Sequence, residues 1–364
     1  MKIAFDAREA FAVRAGKGQV AFHLLRELMA QDHENEYFVF VDAASGQVFP
    51  ENFHEVVVQG SGVFWHLASM RKFRELALDV YFSPTSYIVP ALASFKTIII
   101  VADMVAFLNI TKHQAKATFV ERLTLRRAAK KCSKIITISE SSKRDIVKFF
   151  PEVSEKIHVI YPAQASHDFV YPSEEGEKEF QALHLEAGYI LFVGTIEPRK
   201  NIEGMLAAYA AYKQNNASYK KFVIVGKKGW HYDEVFATVS RLGIEKDVVF
   251  TGFVSDAALP YVYKNAGCFF FGSWYEGFGL ILLEAFKYGC PVISSNTSSL
   301  PEVVGSAALL VSPSDTSGMA KALNDVLGNA ALRRELIQKG FEQEKKFSWE
   351  KNARETLSVI MSVK

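Results

Sequence analysis

Short runs of β-branched and aromatic residues recur along the chain, separated by stretches with helical spacing. Six runs lie in the first part: KIAFD from Lys2, YFVFVD from Tyr37, VVV from Val56, VYFSP from Val80, TIIIVAD from Thr97 and KIITIS from Lys134. Six more follow: YILFVGT from Tyr189, KFVIVG from Lys221, VVFTG from Val248, CFFFGS from Cys268, PVISSN from Pro291 and ALLVSP from Ala308. Apolar strands that alternate with helices are typical of parallel sheets covered on both faces. The pattern predicts an α/β protein built from two such halves in tandem.

The stretch between the halves, residues 163–186, is poor in hydrophobic periodicity and contains Pro172 and the acidic segment SEEGEKE. We interpret it as a linker, which predicts one domain over residues 1–165 and a second over residues 185–346. Open α/β sheets bind ligands outside the carboxyl ends of their strands. Two facing domains would therefore place a cleft between their strand ends.

The most informative stretch follows the strand CFFFGS, because it surrounds a glycine-rich helix start with two carboxylates, Glu276 and Glu284. The loop Tyr275–Gly279 leads into a helix predicted over Leu280–Tyr288. Unpaired backbone N–H groups at a helix start can hold an anion such as a diphosphate. A carboxylate about 4 Å from a phosphate would be repelled by about 4 kcal/mol at an effective dielectric near 20. We therefore expect the two carboxylates to face hydroxyl groups.

Composition narrows the function and the location. The chain has 364 residues, 49% of them hydrophobic and 23% charged, and a net charge of +2, which does not indicate a nucleic-acid partner. Its three cysteines, Cys132, Cys268 and Cys290, lie far apart and form neither a disulfide framework nor a metal pattern. The start, MKIAFDAR, lacks the features of a secretory signal, and no run reaches 18 apolar residues. We expect a cytoplasmic protein.

Three motifs identify a family: EPRKN over Glu197–Asn201, YEGFGLILLE over Tyr275–Glu284 and SLPEVVG over Ser299–Gly305. Together they resemble the retaining family-4 glycosyltransferases of GT-B fold, and the resemblance covers nearly the whole chain. AGKGQVAFHLLREL and ITISESSKRDI in the first half, and FSWEKNARETL near the end, are similar to further segments of that family. The resemblance implies two Rossmann-like domains facing each other across a cleft, with residues 1–165 as the acceptor-side domain and residues 185–346 as the nucleotide-sugar-binding domain. It also implies that the helix within residues 347–364 packs back on the first domain.

The resemblance implies a reaction: transfer of a hexose, with retention, from a nucleoside diphosphate sugar to an acceptor hydroxyl of a saccharide or lipid-linked saccharide. Arg199 and Lys200 directly follow a strand, where two cations could clamp a diphosphate. The family pattern assigns Glu284 to the ribose hydroxyls and Glu276 to the donor sugar, and Asp103 could orient sugar and acceptor. Further contacts with the nucleotide sugar are expected from Gly16, Gly18, Gly277, Phe278, Gly279 and Leu280. The alternative for Arg199 and Lys200 is that they belong to a solvated basic turn without a binding role.

One departure from the family affects the expected activity. The strand TIIIVADM should end in a His-Asp pair, with the histidine reaching the donor sugar, but Ala102 takes the place of that histidine. Alanine cannot donate a hydrogen bond to a sugar hydroxyl. A catalytically impaired homologue that only binds the sugar nucleotide is therefore the second hypothesis.

The sequence contains no Asp-x-Asp, the motif with which another glycosyltransferase fold holds a metal, so we predict catalysis without a metal or other cofactor. No motif fixes the nucleotide base. The segments EPRKN and GKKGW resemble the mannosyltransferase branch of the family more closely. The donor is therefore expected to be GDP-mannose or, as the alternative, a UDP-hexose. The segment FWHLASMRKFREL from Phe64 mixes basic and apolar residues. It is either a peripheral membrane contact at the inner face of the membrane or an ordinary amphipathic helix against the core.

Overall fold

The computed structural model of the protein describes residues 1–12, 16–108, 115–164, 173–230 and 232–363. It divides into two units. The first unit comprises Met1–Ala163 and Phe347–Lys364, and the second comprises Gln164–Lys346. The predicted domain boundaries, 1–165 and 185–346, stay a prediction.

The described residues alternate strand and helix along the chain. The strands are β1 (Lys2–Asp6), β2 (Glu36–Val41), β3 (Phe53–Val57), β4 (Val80–Ser83), β5 (Thr97–Val101), β6 (Lys134–Thr137), β7 (Ile157–Val159), β8 (Tyr189–Val193), β9 (Phe222–Val225), β10 (Val248–Gly252), β11 (Ala266–Phe271), β12 (Val292–Ser295) and β13 (Ala308–Val311). The helices are α1 (Lys17–Gln31), α2 (Gly62–Glu75), α3 (Ile88–Leu92), α4 (Ala115–Lys131), α5 (Glu140–Phe149), α6 (Glu174–Ala182), α7 (Ile202–Gln214), α8 (Asp233–Leu242), α9 (Leu259–Lys264), α10 (Leu280–Lys287), α11 (Leu300–Val304), α12 (Thr316–Gly328), α13 (Ala330–Glu344) and α14 (Trp349–Met361). Short 3₁₀ turns cover Pro151–Lys156 and Pro198–Lys200.

The first unit is built on a parallel sheet in the order β3-β2-β1-β4-β5-β6-β7. The interior strand β5, TIIIV, is buried along its whole length, which explains its unbroken apolar sequence. The strand order reverses between β1 and β4, because β2 and β3 extend the sheet in one direction and β4 to β7 in the other. A loop crevice therefore opens at the carboxyl ends of β1 and β4.

The second unit repeats this plan with the parallel order β10-β9-β8-β11-β12-β13. All five residues of β8, YILFV, are buried. Here the order reverses between β8 and β11, so the loops that follow these two strands lie side by side. Ligands of doubly wound sheets bind at such a switch point.

The last helix, α14, packs against α1 within the first unit. Ser348 caps it by accepting a hydrogen bond from the backbone N–H of Lys351. The ring of Trp349 stacks on that of His23 of α1, with 5.2 Å between ring centroids. Within α14, Ala353 and Ile360 are buried and Leu357 is half-buried.

Two elements differ from the sequence-based expectation. The strand β7 was not predicted, because it has only three residues and carries His158 at its centre. The stretch interpreted as a linker contains α6, and Ser173 caps this helix by accepting from the N–H of Gly176. A Cβ atom on Gly176 would overlap the carbonyl oxygen of Ala257. The glycine thus serves a close approach of two backbone segments rather than flexibility. Residues 165–172, including Pro172, lie outside the described residues.

In the part of the chain that the structure describes, no helix combines the length and the hydropathy needed to span a bilayer. Cys132, Cys268 and Cys290 are free thiols and all three are buried.

Candidate active site at the switch point of the second sheet

The loop after β8 and the loop after β11 are joined by backbone hydrogen bonds at the switch point of the second sheet. The backbone N–H of Trp274 donates to the carbonyl oxygen of Arg199 at 2.9 Å. The Nη1 atom of Arg199 donates in return to the carbonyl oxygen of Tyr275 at 2.8 Å. These bonds set the EPRKN turn and the Tyr275–Gly279 loop in a fixed relation to each other.

Charged side chains from the two loops form one cluster. Arg199 Nη1 donates to Glu276 Oε2 at 2.7 Å, and Lys200 Nζ donates to Glu276 Oε1 at 2.7 Å. The second amino group of Arg199 donates to Glu197 Oε1 at 2.6 Å. The formal charges of these four groups cancel. The structure therefore brings Arg199 and Lys200, expected to clamp a diphosphate, into direct contact with Glu276, which was expected to face hydroxyl groups.

Burial of the cluster strengthens the electrostatic interactions among its charged groups. Glu276 is only 7% exposed. Burial acts to raise the pKa of Glu276, but attraction by Lys200 and Arg199 outweighs it and lowers the pKa below the usual range. The Lys200 ammonium also lies 5.1 Å from the ring centroid of Phe271. Glu276 is therefore ionised at neutral pH.

Backbone geometry explains why the EPRKN turn ends in asparagine. Asn201 has a φ of 56°, in the left-handed region, where asparagine is among the few residues that are tolerated. Its side-chain amide donates to the carbonyl oxygens of Gly272 and Pro313, both at 2.9 Å. Asn201 thereby ends the 3₁₀ turn and connects it to the end of β11.

Two serines of the next loop, Ser298 and Ser299, hydrogen-bond the backbone of the loop after β11. The backbone N–H of Glu276 donates to Ser298 Oγ at 2.9 Å. The hydroxyl of Ser299 donates to the carbonyl oxygens of Glu276 and Phe278, both at 2.9 Å. The SLPEVVG motif thus fixes the conformation of the neighbouring YEGFG loop.

The helix α10 begins at Leu280, immediately after this loop, as the sequence predicted. Gly279 precedes it with a φ of 103°, a conformation that favours glycine. A Cβ atom at Gly279 would also lie 2.9 Å from Leu300 Cδ2. Phe278 is buried, and Gly277 lies between it and Glu276. The backbone N–H groups of this helix start are the ones expected to hold an anion.

Glu284 lies one turn into α10 and is not part of the ion-pair cluster. It is half-buried, and its Oε2 atom accepts a hydrogen bond from the hydroxyl of buried Tyr263 at 3.1 Å. Burial raises the pKa of Glu284 to about 7, and the charge of Asp256 adds to this effect. The assignment of Glu284 to the ribose hydroxyls stays a prediction.

The remaining candidate residues lie in the first unit. Asp103 follows β5, and its Oδ1 atom accepts from the backbone N–H of Val105 at 3.0 Å. Gly16 precedes α1 with a φ of 50°. A Cβ atom on Gly18 would lie 2.6 Å from the carbonyl oxygen of Glu9, so this glycine has a packing reason within the unit. A role of the two glycines in nucleotide-sugar binding stays a prediction.

The prediction of metal-independent chemistry also stays a prediction. Among the described residues, no group of three or more histidine, cysteine, aspartate or glutamate side chains is arranged to hold a metal ion.

Comparison with known proteins assigns the segment that carries the cluster. Residues 173–343 match the model of a family described as glycosyl transferases group 1. Residues 173–343 belong to the glycosyl transferases group 1 family. The segment contains Arg199, Lys200, Glu276 and Glu284, and with them all three motifs that carried the resemblance.

Relatives and solved structures extend the comparison beyond the group 1 segment. The O-antigen chain mannosyltransferase B of Escherichia coli is 36% identical over 227 residues, which are 62% of this chain and 59% of that protein. The chain thus spans less than two thirds of that relative's length. Sucrose-phosphate synthase from Thermosynechococcus elongatus matches over 100% of this chain and 99% of its own, with a TM-score of 0.78 and 18% identity. Anabaena Alr3699/HepE, solved with UDP and glucose, matches over 100% of both chains with a TM-score of 0.74 and 18% identity.

The likeness to these two structures concerns the fold alone, and it confirms the predicted α/β fold of the GT-B type.

Sequence reasoning missed several residues of the group 1 segment that hold the site together. Glu197 and Asn201 lie inside the EPRKN motif, yet only the two cations of that motif received a role. Ser298, Ser299 and Tyr263 were missed as well. Ser299 could have been found, because it begins the SLPEVVG motif. Tyr263 carries no motif, and only the folded structure brings it to Glu284.

Proposed function

We propose that the protein is a retaining glycosyltransferase that moves a hexose, with mannose favoured, from a nucleoside diphosphate sugar to an acceptor hydroxyl. The acceptor is a growing saccharide or a lipid-linked saccharide. The carrying observation is the buried cluster of Arg199, Lys200 and Glu276 at the switch point of a group 1 segment. The mannosyltransferase relative supports mannose as the sugar, and the HepE complex with UDP and glucose supports a nucleotide-linked donor.

The proposed reaction breaks the bond between the anomeric carbon and the diphosphate oxygen. The bonding electron pair goes to the diphosphate, so negative charge grows on the leaving group. Arg199, with its forked donors, and Lys200, with its compact charge, stabilise this charge more strongly as it develops. The backbone N–H groups at the start of α10, from Gly277 to Leu280, supply further donors.

The new bond forms between the acceptor oxygen and the anomeric carbon on the face that the diphosphate leaves. An oxygen of the leaving phosphate takes the proton of the acceptor hydroxyl. The reaction therefore does not require the pair of carboxyl groups that retaining hydrolases use. In this scheme Asp103 orients the acceptor and the sugar, and Glu276 accepts hydrogen bonds from sugar hydroxyls. Gly16 and Gly18 allow the first unit to contact the nucleotide sugar.

Glu276 links donor binding to the positioning of the sugar. Its carboxylate holds both cations at 2.7 Å, so a diphosphate that uses these cations has to share or displace it. A carboxylate released from two ion pairs would be repelled by the incoming phosphates and attracted to hydroxyl donors. This rearrangement would turn Glu276 toward the sugar.

Glu284 is proposed to bind the ribose of the nucleotide. A carboxylate can accept from two adjacent hydroxyl groups at once. The side chains of Tyr263 and Gln164 both hydrogen-bond this carboxylate, which has about four acceptor sites, so capacity for two hydroxyl groups remains.

The experiment that tests this function combines binding and turnover. Purified protein is screened by thermal shift against GDP-mannose, GDP-glucose, UDP-glucose and UDP-galactose, because a ligand that binds the folded state raises the melting temperature. Release of GDP or UDP is then followed with a mannose-containing acceptor. Stabilisation by one nucleotide sugar, with acceptor-dependent release of its nucleoside diphosphate, is expected. Stabilisation by none of them would contradict the proposal.

A catalytically impaired sugar-nucleotide-binding protein is the second candidate, and Ala102 is the observation that favours it. The backbone carbonyl of Ala102 accepts from Ser142 Oγ at 2.8 Å, so this position is well anchored at the end of β5. Under this second hypothesis the protein binds a donor without turnover, and Ala102→His gains release of the nucleoside diphosphate. Turnover by the unsubstituted protein would dismiss it.

We also propose that α2 contacts a membrane surface peripherally. One face of α2 is buried in the first unit through residues such as Trp65, Met70 and Phe73, while Phe64 is 76% exposed and Leu67 46% exposed. Exposed apolar side chains beside basic ones support binding to an anionic bilayer. The location that we propose is the cytoplasm, with this contact at the inner face of the membrane. Flotation with anionic liposomes, compared with Phe64→Ser, tests it, and absence of flotation would remove it.

A further inference from the structure

The loop that follows β11 buries all of its residues except one. From Gly272 to Phe278 every residue is buried apart from Trp274, which is 42% exposed. The other tryptophans of the chain are less exposed: Trp65 and Trp349 are buried, and Trp230 is half-buried. Scattered exposed apolar side chains are common on protein surfaces, so exposure alone does not make Trp274 a binding residue.

The backbone of Trp274 is fixed from both sides. Its N–H donates to the carbonyl oxygen of Arg199 at 2.9 Å, and its carbonyl oxygen accepts from Thr297 Oγ1 at 3.1 Å. The carbonyl oxygen of the preceding residue, Ser273, accepts from Ser295 Oγ at 2.6 Å. A ligand that uses the Trp274 side chain therefore does not have to order the loop first, which lowers the entropic cost of binding.

The indole of Trp274 has no partner among the described residues. Its N–H donates no hydrogen bond to them, and its ring makes no stacking or cation–π contact with them. The ring centroid of Trp65, by contrast, lies 4.7 Å from the guanidinium of Arg8, and Trp349 stacks on His23. The ring face and the N–H of Trp274 are thus both available to a ligand.

Trp274 lies beside the charged cluster of the second unit. It precedes Glu276 by two residues, and its backbone is bonded to that of Arg199. These two side chains are the ones proposed to hold the donor sugar and the diphosphate. Transfer forms a bond between the donor hexose and the sugar that accepts it, so the two sugars have to touch. An exposed side chain next to the buried donor loop is therefore placed to meet the accepting sugar.

A flat aromatic ring with one N–H matches the chemistry of a sugar ring. One face of a hexopyranose presents C–H groups, which gain free energy when an aromatic surface removes them from water. The sugar hydroxyls can accept the hydrogen bond that the indole N–H donates. A nucleotide base also stacks on aromatic rings, so the experiment has to distinguish a base from a sugar.

We propose that Trp274 is the surface on which the accepting sugar ring stacks, and that it determines acceptor specificity from the second unit. The inference rests on the proposed function, because it adds a residue to the same reaction. It assigns no role to Trp274 in holding the nucleotide.

Intrinsic fluorescence of the whole protein tests the contact, because Trp274 is the tryptophan most accessible to a quencher. The probes are the methyl glycosides of α-linked mannobiose, cellobiose and chitobiose, each added with and without GDP or UDP. At least one saccharide is expected to shift the emission to shorter wavelength and to reduce quenching by acrylamide. Trp274→Phe is expected to abolish both changes. Absence of protection by all three saccharides, or equal protection in Trp274→Phe, would overturn the proposal.

Substitution separates a sugar contact from a nucleotide contact. Trp274→Ala is expected to weaken binding of the protecting saccharide about tenfold to 100-fold, because the contact area of one aromatic face is lost. Its acceptor KM should rise with little change in kcat, and Trp274→Tyr, which keeps an aromatic ring, should recover part of the loss. The affinity for GDP or UDP should stay within about threefold of the unsubstituted protein. A larger loss of nucleotide affinity would assign Trp274 to the base and overturn the proposal.

Phe341→Ala is the matched control, because Phe341 is an aromatic residue of the same unit that is 37% exposed on α13. This variant should bind the saccharide normally. An equal loss in Phe341→Ala and Trp274→Ala would show a general effect of removing a surface aromatic and would overturn the assignment.

Nucleoside diphosphate binding by the unsubstituted protein separates the two proposals. If GDP and UDP fail to bind while a saccharide protects Trp274, the proposed function fails and the saccharide contact stands. If a nucleoside diphosphate binds and Trp274→Ala has unchanged saccharide affinity, the donor site stands and this inference fails.

Discussion

At the scale of single residues, the balance of charge around Glu276 controls what the site can bind. Two cations share its carboxylate, and Glu197 holds a second amino group of Arg199. A buried charge that loses its partner is costly, so the cluster is stable only while positive and negative groups match. A diphosphate would supply the negative charge that Glu276 supplies in this arrangement.

Glu276→Gln is therefore expected to tighten the binding of a nucleoside diphosphate about tenfold, because the four-group cluster changes from neutral to a charge of +1. Sugar transfer by the same variant should fall, since Glu276 is proposed to orient the donor sugar. Calorimetry with GDP and UDP measures the first effect. Glu203→Gln, a half-buried carboxylate on α7, is the matched control. Weaker diphosphate binding by Glu276→Gln would argue against the proposed competition.

The raised pKa of Glu284 predicts a pH dependence of stability. Its pKa is about 7 in the folded protein and near 4.5 in the unfolded chain. Between these two pH values unfolding releases a proton, so a rise in pH favours the unfolded chain. The contribution of Glu284 to the free energy of unfolding is therefore fully present below pH 4.5 and is lost as the pH rises through 7. From pH 5 to pH 8, the stability of Glu284→Gln should therefore increase relative to the unsubstituted protein. Urea denaturation at both pH values checks this, with surface Glu335→Gln as control. An equal change in stability of Glu284→Gln and the unsubstituted protein between pH 5 and pH 8 would refute the raised pKa of Glu284.

The sequence placed Arg199, Lys200 and Glu276 in loops that follow predicted strands, and in the structure these strands, β8 and β11, are neighbours. The roles of the three residues stay predictions. The sequence could not predict that Arg199 and Lys200 share Glu276, since an ion pair depends on side-chain conformation and burial. It also could not predict Tyr263 beside Glu284, because α9 and α10 meet only in the folded unit.

At the scale of elements, the apolar runs located twelve strands, and each is present in the structure within a few residues of its predicted position. Unbroken apolar strands are easy to recognise because both faces of a parallel sheet are covered. The short strand β7 lacks this signal. The helix α6 was missed for a different reason: its acidic first turn and its glycine are also typical of linkers, and its capping residue Ser173 was overlooked.

The glycine of α6 gives a test of this element. Gly176→Ala should destabilise the second unit by about 1–3 kcal/mol, because a Cβ atom there overlaps the Ala257 carbonyl and the backbone has to shift. In a flexible linker the same change would have no such cost. Urea denaturation of the whole protein measures it. Gly328→Ala, in the last turn of α12 with open space around its Cβ position, is the control and should be neutral or slightly stabilising.

At the scale of the whole molecule, the repetition of one doubly wound sheet explains the organisation of function. Each unit has a switch point, between β1 and β4 in the first and between β8 and β11 in the second, and each switch point is lined by polar residues. The switch point of the second unit carries Arg199 and Lys200, the cations proposed to hold the donor.

Metal independence is a prediction at this same scale. If Arg199, Lys200 and the start of α10 together stabilise the leaving diphosphate, transfer in EDTA should retain at least about half of the rate measured with added Mn²⁺ or Mg²⁺. Rates of nucleoside diphosphate release in the two buffers give the comparison. Activity that vanishes in EDTA and returns with Mn²⁺ would show that a metal supplies this charge.

The most direct test of the account is the affinity for a nucleoside diphosphate of the doubly substituted protein, Arg199→Ala with Lys200→Ala. Calorimetry with GDP and UDP should show that the nucleotide preferred by the unsubstituted protein binds at least about 100-fold more weakly, because two charge-assisted contacts of about 1.5–3 kcal/mol each are lost. Arg241→Ala, on α8, should bind normally. Affinity within threefold of the unsubstituted protein, in a folded double variant, would contradict the claim that these cations hold the diphosphate.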